Sequence, residues 1–149
     1  MFKNILVPTD GSEQSQTAVR TAVDLAKLHG ARLVGIHVIP DYHLLIAYEG
    51  AFDPITEERI EEEAKSRAAS YLAYIEDAAA RSGVQCRTVC ETSDHPYDAI
   101  LRAAEVHGCD LIVMTSHGRK GLAAVLLGSE TRKVLTHAKV PVLVVRGST

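Results

Sequence analysis

With 149 residues and a formal net charge of −3 at pH 7, the chain is long enough for one domain around a single sizeable core. Its basic residues are dispersed apart from the pairs Arg119-Lys120 and Arg132-Lys133, so no charged face for DNA or RNA is expected. No stretch approaches the roughly 18 apolar residues that span a bilayer, and the apolar run within residues 1–8 is too short for a secretory leader; a cytoplasmic protein with no nucleic-acid and no membrane partner is expected.

In chain order, residues 4–8 enclose Ile5-Leu6-Val7, a short apolar run that fits a buried strand. Ser12 then opens a helix in which Ala18, Val19, Ala22, Val23 and Ala26 recur at spacings of three and four, and His29-Gly30 stops it. Residues 32–39 form a second apolar strand, ended by Pro40. The loop 41–53 is apolar for a loop, with Tyr42, Leu44, Leu45, Ile46, Tyr48 and Phe52, and is expected to pack on a ligand or a partner chain. Asp53-Pro54 suits a helix start. The acidic run Glu57, Glu58, Glu61, Glu62 and Glu63 reads as a solvated face near a positive helix end. The stripe Ile60, Ala64, Ala68, Tyr71, Leu72 and Ile75 reads as the buried one.

Residues 84–91 alternate more than the other strands do, which predicts a sheet edge. Asp94 and Pro96 start a third helix that Gly108 stops; residues 110–116 hold a fully buried strand; Ser129 opens the last helix; and Pro141 to Val145 form the final strand. Of the three cysteines, Cys86 and Cys90 share a strand face and are read as small core side chains rather than a redox or metal pair, and the odd total with Cys109 fits a reducing compartment. The order β-α-β-α-β-α-β-α-β, with apolar strands between helices, predicts an α/β fold: a five-stranded parallel sheet covered by four helices in a Rossmann-like three-layer sandwich.

In such sheets ligands bind outside the carboxyl ends of the strands. Two strand ends carry chemistry here. One is Pro8-Thr9-Asp10-Gly11-Ser12; the other runs from Thr115-Ser116-His117-Gly118-Arg119-Lys120-Gly121 to Gly128-Ser129. Gly118, Gly121 and Gly128 are expected to let the backbone approach a ligand and to take positive φ. Ser129-Glu130-Thr131 begins a helix, where free N–H groups favour anions. From pattern alone, a Gly-rich turn with an ordinary Ser N-cap fits equally well. There is no G-x4-G-K-[ST], no G-x-G-x-x-G after the first strand, no H-E-x-x-H and no G-x-S-x-G.

The opening Asn-Ile-Leu-Val-Pro-Thr-Asp-Gly-Ser, the segment Asp-Leu-Ile-Val-Met-Thr-Ser-His-Gly ending at Gly118, and the closing Pro-Val-Leu-Val-Val resemble, in this order, three segments of the universal stress protein family. The resemblance covers essentially the whole chain and implies a single domain, 1–149, with strand order 3-2-1-4-5. ATP-binding members carry G-x2-G-x9-G-[ST]. Here Gly118, nine intervening residues and Gly128-Ser129 match, while Thr115 stands at the first glycine.

The resemblance implies an ATP pocket, with any Mg2+ carried on the phosphates. Pro8, Thr9 and Asp10 match its first loop, with Asp10 near the ribose hydroxyls; a role in capping the first helix is the other reading of that carboxylate. Val38 matches the residue whose backbone meets adenine. Met114 and Thr115 match the wall, and Gly118, Arg119, Gly128, Ser129, Glu130 and Thr131 the phosphate cradle, Glu130 through its backbone N–H alone. The resemblance also implies a homodimer through strand 141–146, whose apolar edge would otherwise be open. The expected function is a nucleotide-binding stress-response regulator that uses the nucleotide as a switch. The alternatives are a nucleotide-free dimeric interaction module and a slow ATPase. No residue is assigned as catalytic: His117, the one tempting base, has no visible group to orient it and is read as a structural loop histidine, so at most weak hydrolysis is implied.

Overall fold

The computed structural model describes residues 1–41, 54–117 and 127–146. Strand and helix alternate: β1 (Asn4–Pro8), α1 (Glu13–His29), β2 (Arg32–Ile39), α2 (Pro54–Arg81), β3 (Cys86–Thr92), α3 (Pro96–Val106), β4 (Leu111–Thr115), α4 (Ser129–His137) and β5 (Val142–Val145). The strands form one five-stranded sheet in the order β3-β2-β1-β4-β5, with every neighbouring pair parallel. The fold class is as the sequence predicts, and the strand order is the one the family resemblance implies. The loop 42–53, and Gly118, Arg119, Lys120 and Gly121, lie outside the described residues.

The side-chain period of two along a strand divides the apolar residues between two cores. Ile5, Val7, Leu33, Leu111 and Val113 face α1 and α2, where Val19, Val23, Leu72 and Ile75 meet them. Leu6, Val34, Ile36, Ile112 and Met114 face α3 and α4, against Ile100, Ala103, Ala104 and Val134. This is why the central strands read as unbroken apolar runs: both faces are covered. The α1 stripe is fully buried, and the apolar stripe of α2 is buried at Ala64, Ala68, Leu72 and Ile75. On the other side of α2, Glu58, Glu61, Glu62 and Glu63 are exposed.

Two glycines set how closely α2 approaches the sheet. Gly35 on β2 lies under Ile75, and a Cβ there would stand 2.8 Å from its Cδ1. Gly11 has φ +80°, and the Tyr71 ring occupies the space a Cβ would need. So α2 rests on the carboxyl half of β2 and presents Tyr71 to the loop after β1.

Some boundaries differ from the sequence expectation, each for a local reason. The strand expected over 84–91 is Cys86–Thr92, because the Val84 amide closes the end of α2 by donating to the Ala79 carbonyl (2.9 Å). Asp110 stands outside β4: its carboxylate accepts from the Lys3 and Asn4 amides (2.9 and 3.1 Å) and ties β4 to β1. Asp94 does not cap α3; it accepts from the Asp41 amide (3.1 Å), and the helix starts at Pro96. Cys86 packs partly against a core, but Cys90 is exposed, which corrects its reading as a core residue: β3 is a sheet edge that its neighbours cover incompletely.

Candidate functional site

The loop leaving β1 is held by its own side chains. The Thr9 hydroxyl accepts from the Gly11 amide (3.1 Å) and meets the Ser15 hydroxyl at 3.0 Å. Asp10 Oδ1 accepts from the Ser12 amide (2.9 Å), an Asx turn. Ser12, not Asp10, is the N-cap of α1, accepting from the Ser15 amide (3.1 Å). Thr9, Ser12 and Ser15 are all buried, so a polar knot fixes the loop where the fold would leave backbone groups unmet.

The second loop closes on itself. The Gly128 amide donates to the Ser116 carbonyl (2.6 Å), and the buried Thr131 hydroxyl donates to the Thr115 carbonyl (2.8 Å). The turn leaving β4 and the first turn of α4 therefore converge. A buried bond of this kind contributes about 1 kcal/mol net. Thr115, at the motif's first glycine, donates its own hydroxyl to the His117 carbonyl (2.8 Å) and so helps shape the turn.

Gly128 is the N-cap of α4 and has φ −66°, an ordinary extended value. The positive φ expected for it is not present; the residue contributes the absence of a side chain rather than an unusual backbone. The cap makes no side-chain hydrogen bond, so the first-turn N–H groups of α4 are not met by one. The Glu130 carboxylate is held elsewhere, accepting from the Tyr97 amide at the start of α3 (2.8 Å) with Lys133 Nζ 3.6 Å away. The Tyr97 amide and Lys133 thus offset part of the charge that Glu130 brings to the first turn of α4.

Both loops open into one cleft of about 740 Å3 at the carboxyl end of the sheet. Pro8, Thr9, Asp10, Val38, Met114, Thr115, Gly128, Ser129, Glu130 and Thr131 all line it. Gly118 and Arg119 lie outside the described residues. The structure adds a second wall that sequence reasoning did not assign: His37 of β2 with Arg67 and Tyr71 of α2. Tyr71 was visible only as a core-stripe residue, and nothing local marks Arg67 in an exposed charged run. His117 does not line the cleft; its Nδ1 pairs with the Ser116 hydroxyl (3.2 Å) and its Nε2 is buried without a partner among the described residues.

Among the described residues no group of three or more His, Cys, Asp or Glu side chains is placed to hold a metal ion, and no helix is long and apolar enough to cross a membrane. The thiols are not activated. Burial, with the Glu76 carboxylate nearby, pushes Cys86 up to about 11, and burial beside Asp110 does the same for Cys109.

Comparison with known proteins bears on this arrangement. The model of the universal stress protein family matches residues 1–146. The chain belongs to the universal stress protein family. A universal stress protein of Thermus aquaticus is 36% identical over 149 residues, covering 98% of this chain and all of that protein. The solved structure of MJ0577 of Methanocaldococcus jannaschii, itself named a universal stress protein, superposes with a TM-score of 0.80 at 30% identity, covering 100% of this chain and 99% of that one. A more distant universal stress protein of Archaeoglobus fulgidus, solved in complex with dAMP, shares the fold with a TM-score of 0.69 at 20% identity, over 95% and 96% of the two chains. In this universal stress protein the cleft thus lies where an α/β sheet of this order takes ligands.

Proposed function

We propose that this universal stress protein domain binds ATP in the cleft at the carboxyl end of its sheet and acts as a cytoplasmic, homodimeric regulator whose conformation or partner choice the nucleotide biases. The observation that carries the reading is the convergence of two elements distant in sequence: the Thr131 hydroxyl donates to the Thr115 carbonyl, so the start of α4 and the end of β4 meet in the cleft that Asp10 also lines. The first-turn amides of α4, which no side-chain cap meets among the described residues, suit a phosphate tail. The Asp10 carboxylate suits the ribose hydroxyls, and Val38 and Met114 suit the base. A cleft of about 740 Å3 lies within the range usual for small-molecule sites, and the dAMP complex of the distant relative makes an adenine nucleotide a reasonable ligand class.

In this reading Gly118 and Arg119 complete the cradle, Mg2+ arrives on the phosphates, and pairing through residues 141–146 makes the dimer. This reading assigns no catalytic residue and takes hydrolysis to be at most weak. The test is thermal: Mg-ATP at millimolar concentration should raise the melting temperature. Gly128→Val should remove that shift while the circular dichroism spectrum stays unchanged, because a side chain at the N-cap of α4 obstructs the cradle and leaves the cores alone. An unchanged melting temperature of the wild-type protein would favour a nucleotide-free interaction module.

A further inference from the structure

The α3 face of the sheet is not covered equally along its length. Helix α3 packs Ile100, Ala103 and Ala104 against Leu6, Val34 and Ile36 and ends at Val106, and the first residues of β2 and β3 leave Arg32 and Arg87 exposed. Val34 pairs with Arg87 across the parallel ladder, and Arg32 lies two residues before Val34 on β2. Paired residues share a face and alternate residues return to it, so both guanidiniums project on the α3 side. They line one cavity of about 520 Å3 at the amino end of the sheet, opposite the cleft. His107, the C-cap of α3, lines it too, with Asn4 and Gln85. The Asn4 side-chain amide donates to the Gly108 carbonyl (3.2 Å) and ties the turn that carries His107 to the start of β1.

No Asp or Glu lines this cavity. The Arg32, Arg87 and His107 side chains have no hydrogen-bond or ion-pair partner among the described residues. Asp110, at the same end of the sheet, is engaged by the Lys3 and Asn4 amides. The last-turn carbonyls of α3 at Ala103, Ala104 and Glu105 are met by the His107, Cys109 and Gly108 amides, so the helix end adds little negative charge. Sheet register thus gathers two like charges without a counter-charge, in a chain whose formal net charge is −3. Such a pair opposes the fold until an anion stands between its members.

We propose that this cavity is a second ligand site, separate from the cleft, which takes the phosphate group of a small phosphorylated molecule between Arg32 and Arg87, with His107 as a third donor. It does not rest on the nucleotide reading. A carboxylate is matched by one guanidinium fork. Two forks and an imidazole suit the three terminal oxygens of a phosphate ester better. The volume leaves room for a small body attached to that phosphate.

The experiment follows the backbone amide NMR shifts of the wild-type protein titrated with glycerol phosphate, with inorganic phosphate and with acetate, at constant ionic strength. Glycerol phosphate should give saturable shifts at Arg32, Arg87 and His107, read separately from any at Ser129 to Thr131 in the cleft. Arg32→Gln and Arg87→Gln should each raise the dissociation constant about tenfold or more, as for a lost charged hydrogen bond to an anion. Arg87→Lys should recover part of that loss, since it keeps the charge and removes the fork. Both arginines are exposed, so these variants leave the cores alone; should one not fold, the wild-type titration decides. Inorganic phosphate binding as tightly as the ester would make the free ion the ligand and support the site. An equal response to acetate overturns the phosphate assignment, as do shifts that never saturate or that survive both glutamine variants. Shifts confined to the cleft overturn this inference and leave the nucleotide reading standing; a protein that answers phosphate here and never Mg-ATP does the reverse.

Discussion

The two strands after α3 and α4 are equally apolar and end up in opposite surroundings. β4 reads Leu-Ile-Val-Met-Thr and is buried at every position; β5 reads Val-Leu-Val-Val and is fully buried at none, with Leu143 40% exposed. Composition does not separate them. Position does: β4 has a strand on each side and helices on both faces, while β5 closes the row with one edge open. An apolar run therefore predicts a strand of a parallel sheet, but its place in the sheet decides what the residues contribute. The centre supplies stability and positions the cleft. The edge supplies little stability and leaves a surface.

Core truncation gives the largest expected contrast. Ile112 is fully buried between β1 and β5 and packs toward α3 and α4. Ile112→Ala should cost about 2–5 kcal/mol by denaturant unfolding, the usual range for a cavity in a well-packed core. Val142→Ala, the register partner of Ile112 on β5 and only partly buried, should cost less than half as much. Equal losses would mean that β5 is covered as well as β4, and the contrast between centre and edge would fail.

The next test lies at the mouth of the cleft. Thr131→Val keeps the shape of the side chain and removes the donor to the Thr115 carbonyl. It should cost about 1–2 kcal/mol, since a buried carbonyl loses a partner. It should also diminish the thermal shift with Mg-ATP, because it removes one of the two hydrogen bonds that tie the start of α4 to the end of β4. A variant with normal stability and normal shift would show that the two elements need no such tie.

The cysteines divide by burial rather than by strand in how they titrate. Cys86 begins β3 and Cys109 precedes β4, and both thiols are pushed from 9.0 up to about 11, mainly by burial. The folded state keeps these protons where the unfolded chain gives them up. Stability is therefore unaffected below pH 9 and falls as the pH rises from 9 toward 11. Unfolding followed across that range should show a modest decline. Cys90, exposed on the edge strand and raised less, should contribute least, so Cys90→Ser should leave the decline in place while Cys109→Ala reduces it.

How much of this was legible in the sequence follows the same division. Ile5-Leu6-Val7 and Leu111 to Met114 declare buried strands because both of their faces are covered, and the stronger alternation of residues 84–91 declares an edge. The helix stripes at Ala18 to Ala26 and Ala64 to Ile75 are periodic because one side of each helix meets the sheet. The strand ends that line the cleft were legible through Asp10, Thr115 and Gly128-Ser129, whose residue types suit turns and helix starts. The second wall was not. Arg67 and Tyr71 belong by period to an ordinary helix, and His37 to an ordinary strand; they meet only because Gly35 and Gly11 let α2 settle on the sheet, a contact between segments far apart in sequence. The Asp94 and Asp110 side chains were misassigned for the same reason: each answers a backbone amide from a distant segment, at Asp41 and at Lys3 and Asn4.

The smallest expected effect on stability belongs to the open edge, and it separates surface from support most cleanly. The Ile112 amide donates to the Pro141 carbonyl and the Ser116 amide to the Val145 carbonyl (both 3.0 Å), so the backbone groups of residues 141, 143 and 145 point toward β4. By alternation those of Val142 and Val144 point outward, away from the sheet. Proline is tolerated on an edge strand where the lost N–H faces outward. Val144→Pro should therefore leave the β4 ladder intact and cost the monomer no more than about 1 kcal/mol. If two chains pair along this edge as proposed, the same substitution removes a donor from the joint and places a ring in it, and light scattering should show the dimer dissociating. A dimer that survives Val144→Pro at low micromolar concentration would move the interface away from β5. Leu143, facing solvent at the edge of the sheet, would then be an exposed apolar residue without an assigned partner.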